Sequence, residues 1–183
     1  MKYLQTILFI LIFSINITAQ LIVKVIDGDT YKVLLNGKAQ TLRLQNVDAP
    51  ELGQYFGKTT SDSVAALIQL HQVQLEIQGS DLYGRQLVNI HINGMRLDSL
   101  LIAKGWACFY SSYSHNRQLS IYEAIAKLKG IGLWRCAHPV PPWIWRKLSK
   151  RNKRLYEMCQ PHPNPSPKKK GKAKHCSYYA PIP

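Results

Sequence analysis

The sequence predicts an α+β domain of five short strands and three helices, followed by a basic C-terminal extension. Three observations support this prediction: strand-like segments that end at Asn-Gly turns, helical periodicity in three later segments, and many lysines and arginines after the last helix. The chain has 183 residues, which is enough for one domain of ordinary size with an extension at each end. Two large domains would not fit.

Three strands form the first part of the predicted sheet. Residues 22–26 are rich in Ile and Val, as is typical of a strand. Residues 31–35 and 41–47 form the next two strands, because Asn36-Gly37 between them supplies the positive φ angles of a two-residue hairpin turn.

The remaining elements alternate in type. Apolar residues recur at helical spacing in residues 57–70, and alternation with polar residues predicts strands at 73–78 and 86–92, the second ending at another Asn-Gly turn. Two helices follow, at 97–104 and 119–129, each with a glycine after it. Three strands, a helix, two strands and two helices are typical of a closed, five-stranded Greek-key barrel of the OB type.

The N-terminal segment 1–19 has the pattern of a signal peptide, with Lys2 before an apolar run and cleavage after Ala19. Ser14 and Asn16 interrupt the run before it reaches the roughly 20 residues of a membrane-spanning helix. We therefore expect export, to the exterior or to a periplasm. An uncleaved segment would instead anchor the protein in the membrane.

The folded domain is predicted to cover residues 20–138. Successive prolines in 139–146 predict extended chain, with its tryptophans packing back on the barrel or, as the alternative, offering a stacking surface. The rest of 139–183 is predicted to be a largely disordered basic tail, because residues 146–174 hold eleven Lys or Arg and one acid, leaving +4 of the net charge of +14 elsewhere. Such a tail favours polyphosphates or anionic membrane surfaces without sequence preference.

The four cysteines have several possible uses. An even number in an exported chain predicts one or two disulfides, with three complete pairings open. Pairing Cys108 with Cys136 and Cys159 with Cys176 is one of them. A zinc site is the alternative, since His138 and His175 lie near cysteines, although no CxxC motif is present.

The residues that indicate chemistry are carboxylates and arginines. Two acidic clusters, Asp27-Gly28-Asp29-Thr30 and Asp48-Ala49-Pro50-Glu51, flank Arg43, and a second arginine follows in Tyr83-Gly84-Arg85. Arg43 lies between two leucines in its strand, so it is expected on the face opposite to theirs. Carboxylates can hold a hard divalent cation and activate water, and guanidinium groups can bind a phosphoryl group as its charge grows. The set predicts phosphodiester hydrolysis.

Four blocks of the chain, residues 25–30, 43–51, 83–85 and 130–134, resemble the staphylococcal nuclease (thermonuclease) family in order and spacing. The resemblance covers about residues 21–135. It implies a calcium-dependent endonuclease that hydrolyses DNA and RNA with little sequence specificity and leaves 3′-phosphorylated ends.

The resemblance also implies the role of each site residue, and Ca²⁺ as the cofactor. It implies calcium ligands at Asp29, Asp48 and the backbone carbonyl of Ala49, with Asp27 as a further ligand or support; a general base at Glu51; phosphate-binding arginines at Arg43 and Arg85; and substrate contacts at Tyr83 and at Tyr113, for which Tyr110 is an alternative.

DNA and RNA are the expected partners, the chain is expected to be a monomer, and no obligate protein partner is predicted. Two alternatives stay open from the sequence. A non-catalytic OB module could bind nucleic acid without cutting it, or the enzyme could stay tethered through residues 1–19. Cleavage with and without calcium separates the first alternative from an enzyme, and the mature N-terminus tests the second.

Overall fold

The computed structural model describes residues 21–35 and 37–157. Predictions about the signal segment 1–19, Asn36, and residues 158–183 with Cys159 and Cys176 therefore lie outside the described residues. The strands are β1 (Leu21–Val25), β2 (Thr30–Leu35), β3 (Lys38–Leu44), β4 (Val47–Asp48), β5 (Val73–Ser80), β6 (Gln86–Ile92), β7 (Met95–Arg96) and β8 (Cys108–Phe109). The helices are α1 (Gly57–Leu70), α2 (Leu97–Ala103), α3 (Arg117–Lys129), α4 (Pro142–Trp145) and α5 (Lys150–Glu157), with a 3-10 turn at Gly132–Arg135.

The α+β class is confirmed, but the five-stranded closed barrel is wrong. One sheet has the order β1-β2-β3-β6-β5, with β7 paired to β6, and β4 pairs only with β8 in a second, two-stranded sheet. In the described part of the chain, β1 and β5 lie at the two edges and do not pair with each other. The predicted third strand breaks at Asn46, whose φ of 67° turns the chain out of β3 and starts β4.

Local signals predicted most of the elements. Helix α1 and strand β6 have the predicted bounds, and α2 and α3 differ from prediction by at most two residues. Asn93 and Gly94 have φ of 50° and 78°, as a tight hairpin between β6 and β7 requires. Helix α3 ends at Gly130 in the left-handed conformation.

The hydrophobic core brings together the inner face of the larger sheet and the helices. Leu42 and Leu44 of β3 are 0% and 1% exposed, and Val64 of α1 packs in the same cluster. Burying such side chains supplies the main free energy of folding. Further fully buried residues of this cluster come from β2, β6 and α2, namely Tyr31, Val33, Val88, Ile90, Leu97, Leu101 and Ile102.

The C-terminal extension is more ordered than predicted. Residues 139–141 are not helical, but Pro142–Trp145 form one helical turn, because proline is favoured at the first helical position. The helix Lys150–Glu157 also contradicts the prediction of a largely disordered tail in this stretch. The predicted packing of tryptophan on the domain is confirmed, since Trp145 is 4% exposed. Among the described residues, no helix combines the length and apolarity needed to cross a membrane.

Gly57 fixes how α1 approaches the loop before it, and this can be tested. A Cβ at Gly57 would lie 1.8 Å from the carbonyl oxygen of Glu51. We expect Gly57→Ala to lower the free energy of unfolding by about 2–3 kcal/mol, because backbone must move to relieve the overlap. Gly53→Ala is the control, since nothing lies within 4 Å of its Cβ position. Equal urea midpoints for the two variants would contradict this expectation.

Candidate active site

Arg43 joins the two acidic clusters. Its side chain leaves the end of β3 and is 11% exposed. Nη1 lies 2.9 Å from Oδ2 of Asp29, in the loop between β1 and β2, and Nη2 lies 3.0 Å from Oδ1 of Asp48 on β4. Asp29 and Asp48 are 4% and 1% exposed. The guanidinium group therefore holds two buried carboxylates side by side. This position agrees with the alternation of side chains along β3, which predicted Arg43 on the face opposite to the neighbouring leucines.

The loop that carries Asp29 is shaped by its own sequence. Asp27 Oδ1 accepts a hydrogen bond of 3.0 Å from the backbone N–H of Asp29, a local turn typical of aspartate. A Cβ at Gly28 would lie 2.4 Å from Cγ2 of Thr60 and 2.7 Å from Cβ of Ala49, so glycine lets the loop lie against α1. The Ala49 N–H donates to Asp29 Oδ2 at 2.5 Å.

Burial sets the protonation of Asp29. Removal from water raises its pKa to about 7, and the nearby charges of Asp27 and Asp48 also raise it, while Arg43 and the Ala49 N–H lower it. The attraction to Arg43 therefore does not fully compensate the lost hydration. A cation close to Asp29 would favour the ionised carboxylate.

The structure adds a residue that the sequence did not predict, Arg146. It follows α4, and its guanidinium group contacts both Asp48 and Glu51. Nη2 donates to Asp48 Oδ2 at 2.7 Å, and Nη1 donates to Asp48 Oδ1 at 3.1 Å and to Glu51 Oε1 at 2.9 Å. Nothing in the local sequence marked Arg146 for this position, beyond the tryptophans that precede it and were expected to pack on the domain.

The segment that delivers Arg146 is attached to the domain before it reaches the acids. Gln54 Nε2 donates to the carbonyl of Val140 at 2.5 Å, and Gln54 also exchanges hydrogen bonds with the backbone of Glu51 at 2.8 and 3.2 Å. Trp143 stacks on Tyr110 with ring centroids 5.6 Å apart and planes at 17°. The Glu51 loop and the extension are thus fixed to each other.

Among the described residues, Arg85 forms no ion pair or hydrogen bond with either of the two acidic clusters. Arg85 precedes β6, in which Leu87 pairs with Arg43 of the parallel strand β3. Arg85 Nε lies 2.6 Å from Asp81 Oδ2, and its guanidinium carbon is 5.5 Å from the centroid of the Tyr83 ring. Tyr83 is 85% exposed at this turn. Arg85 thus precedes the strand that pairs with the strand of Arg43, and its side chain contacts Asp81 and Tyr83.

Tyr110 lines the same cavity as Arg146, and Tyr113 does not. Tyr113 is 77% exposed, and its ring centroid is 4.9 Å from that of Tyr110, which in turn stacks on Trp143. An open cavity of about 540 Å³ adjoins these rings; it is lined by Tyr110, Ser111, Ser112, Trp143, Arg146 and Lys147.

Two of the cysteine hypotheses are wrong. Cys108 is a free, buried thiol on β8, whereas Cys136 is disulfide-bonded, so they do not pair with each other. Because a disulfide sulfur is not a thiolate, Cys136 with His138 does not form the zinc site considered above. Burial raises the pKa of the Cys108 thiol, which therefore stays protonated at neutral pH.

The oxygen atoms at this site are of the kind that binds a hard divalent cation. Asp29 and Asp48 offer buried carboxylate oxygens next to a backbone carbonyl at Ala49, which are the ligand types that calcium prefers. Within residues 21–35 and 37–157, no three His, Cys, Asp or Glu side chains are grouped as a metal site. Guanidinium groups bind the oxygens of Asp48 instead.

The raised pKa of Asp29 predicts a pH-dependent stability. Its folded-state pKa is about 7 and its ordinary value is 3.8. Between these values the folded chain keeps a proton that the unfolded chain loses, so this group makes the free energy of unfolding fall as pH rises, with no further change above about pH 7. In the presence of chelator, the free energy of unfolding of Asp29→Asn should therefore increase relative to that of the wild type as the pH is raised from about 4 to about 7. Urea unfolding of both proteins, with the exposed-site variant Asp62→Asn as control, measures this; a pH-independent difference would refute it.

Comparison with known proteins identifies the family of the chain. The family model described as "Staphylococcal nuclease homologue" matches residues 41–136. The chain is similar to an uncharacterized endonuclease of Escherichia coli O157:H7, with 35% identity over 149 residues, covering 79% of this chain and 97% of the relative. It is 32% identical over 140 residues to a micrococcal nuclease of Shigella flexneri, covering 70% and 80%. An uncharacterized endonuclease of Haemophilus influenzae is 34% identical over 132 residues, covering 72% and 74%. The chain belongs to the staphylococcal nuclease family and is a phosphodiester hydrolase of the nuclease type.

Proposed function

We propose that the protein is a calcium-dependent endonuclease that hydrolyses DNA and RNA with little sequence specificity and leaves 3′-phosphorylated ends. The observation that carries this proposal is the position of Arg43, whose guanidinium group lies 2.9 and 3.0 Å from the buried carboxylates of Asp29 and Asp48. A cationic fork beside two anionic oxygen ligands suits a phosphate that is bound through both a cation and an arginine.

Asp29, Asp48 and the carbonyl of Ala49 are the proposed calcium ligands, with Asp27 supporting Asp29 through its backbone N–H. When bound, calcium would lower the pKa of an attacking water and neutralise the phosphate. Cation binding at Asp29 must release a proton at acidic pH, because burial raises the pKa of this carboxyl to about 7.

Glu51 is the proposed general base. Its side chain is 38% exposed, so water can reach it, while the Asp48 carboxylate is buried. Gln54 holds the backbone of Glu51 through two hydrogen bonds, which orients the side chain relative to Asp48. A carboxylate in this position can take a proton from water as the oxygen attacks phosphorus, and Arg43 can stabilise the charge that develops.

Arg85, Tyr83 and Tyr113 are proposed to contact the substrate. Arg85 is 32% exposed, and it must exchange Asp81 for a phosphate to act with Arg43. The exposed rings of Tyr83 and Tyr113 can stack on any base, which supports cleavage without sequence preference. Helix α5 adds the exposed cations Lys150, Arg151 and Arg154 close in sequence to Arg146, and these favour a polyphosphate chain.

Export through residues 1–19, action as a monomer, and the lack of an obligate protein partner complete the proposal. The exported protein would meet calcium outside the cell. Mass spectrometry of the mature chain tests export, since a chain that begins at Gln20 shows cleavage and a chain that begins at Met1 shows a retained anchor.

Replacement of Glu51 tests the proposed mechanism. We expect Glu51→Gln to lower the maximal rate of plasmid cleavage by roughly two to four orders of magnitude, because the amide cannot accept the proton. Nucleic-acid binding in chelator should be little changed. The measurement is plasmid cleavage with calcium, and with chelator as a blank.

Glu76→Gln is the matched control for this experiment. Glu76 is exposed on β5, where its carboxylate accepts a hydrogen bond from Asn89, and it lies outside the acidic cluster. Its variant should cleave at the wild-type rate. Full activity of Glu51→Gln would remove Glu51 from the mechanism, and binding by the wild type without any cleavage in calcium would indicate a binding module.

A further inference from the structure

We infer that Arg146, which also binds Glu51, competes with the divalent cation for Asp48 and thereby sets the cation concentration at which the nuclease works. This inference rests on the proposed cation site at Asp29 and Asp48. It concerns a residue of the C-terminal extension, ten positions beyond the end of the region that matches the family model.

Two arginines occupy the carboxylate oxygens of Asp48. Arg146 binds both of them, at 2.7 and 3.1 Å, and Arg43 binds Oδ1 as well, at 3.0 Å. Calcium would have to lie about 2.3–2.6 Å from one of these oxygens. A guanidinium group and a divalent cation on one carboxylate repel each other, so each weakens the binding of the other.

The packed C-terminal extension holds Arg146 at this site. The extension is attached through the stacking of Trp143 on Tyr110, the burial of Trp145 and the hydrogen bond from Gln54 to Val140. A competitor that belongs to the same molecule acts at a high effective concentration. Its guanidinium group therefore contacts Asp48 whenever the extension is packed and no cation displaces it.

The two arginines differ in their exposure to water. The Arg43 side chain is only 11% exposed and donates to the carbonyl of Leu44 as well as to the acids, so little of it can exchange these partners for water. The Arg146 side chain is 46% exposed and borders the open cavity beside Lys147. Arg146 can therefore exchange its carboxylate partners for water, which a displaceable competitor must do.

The contact with Glu51 gives the competition a further consequence. Nη1 of Arg146 lies 2.9 Å from Oε1 of Glu51, and a base held in a charge-assisted hydrogen bond is a weaker proton acceptor. Displacement of Arg146 by the cation would free the oxygens of Asp48 and Glu51 in the same step. Cation binding and activation of the base are thus coupled through one side chain.

The test is calcium binding measured by titration calorimetry on the full chain, compared between wild type and Arg146→Gln. We expect the variant to bind calcium about tenfold more tightly or better, because the intramolecular competitor is gone. Arg146→Lys keeps the charge but loses the planar fork, so its affinity should lie between the two. Thermal unfolding of each variant confirms that it is folded.

Lys147→Gln is the matched control, because it removes one positive charge from the neighbouring position and Lys147 makes no ion pair with an acid in the described structure. It should change calcium affinity by less than about twofold, as expected for an exposed charge. The calcium concentration for half-maximal cleavage should fall in Arg146→Gln by the same factor as the dissociation constant.

Three results would overturn the inference. Equal calcium affinity in wild type and Arg146→Gln would contradict the competition and leave the proposed function intact. A loss of maximal cleavage rate with unchanged affinity would show instead that Arg146 contacts the substrate. No calcium binding by either protein would refute the cation site and the competition together.

Discussion

The burial of Asp29 and Asp48 beside Arg43 is the interaction on which the rest of the site depends. Two carboxylates that are 4% and 1% exposed would repel each other at high cost without a guanidinium group between them. Arg43 comes from β3, Asp48 from β4 and Asp29 from the loop before β2, so this contact also fixes how three consecutive parts of the chain meet. Removing one partner would leave an unpaired buried charge, which is more damaging than the loss of a surface ion pair.

Small residues and one glutamine transmit that constraint to the surrounding loops. Gly28 lets the Asp29 loop lie against Thr60 of α1, and Gly57 lets the start of α1 touch the backbone of Glu51. Gln54 then links the Glu51 loop to Val140. The extension is therefore held to the same loop that carries the proposed base, which explains why Arg146 reaches the acids although it lies 98 positions beyond Asp48.

The sequence predicted those features that depend on neighbouring residues. The alternation around Arg43 gave the correct face of β3, and Asn93-Gly94 gave the correct hairpin. The barrel was wrong because closure depends on the pairing of distant edge strands, which no local pattern specifies. The chain around Pro142 was predicted as extended because proline blocks the interior of a helix, yet it is well placed at the first position of one. The contacts of Arg146 depend on tertiary structure and had no signal in the sequence, and the even number of cysteines indicated a disulfide without showing which cysteines form it.

The charge balance of the cluster links these findings. Asp27, Asp29, Asp48 and Glu51 carry four negative charges when ionised, and the two arginines that bind the last three of them supply two positive charges. The remaining charge of −2 matches one divalent cation. If the Arg146 side chain moves into water, the four acids and Arg43 keep a net charge of −3, and their attraction for a cation increases. Because the pKa of Asp29 is raised to about 7, a proton can replace part of this missing positive charge when no cation is bound. Protons, the arginine of the extension and a metal ion are therefore alternative ways to neutralise the same buried oxygens, and the packed extension decides how strongly they compete.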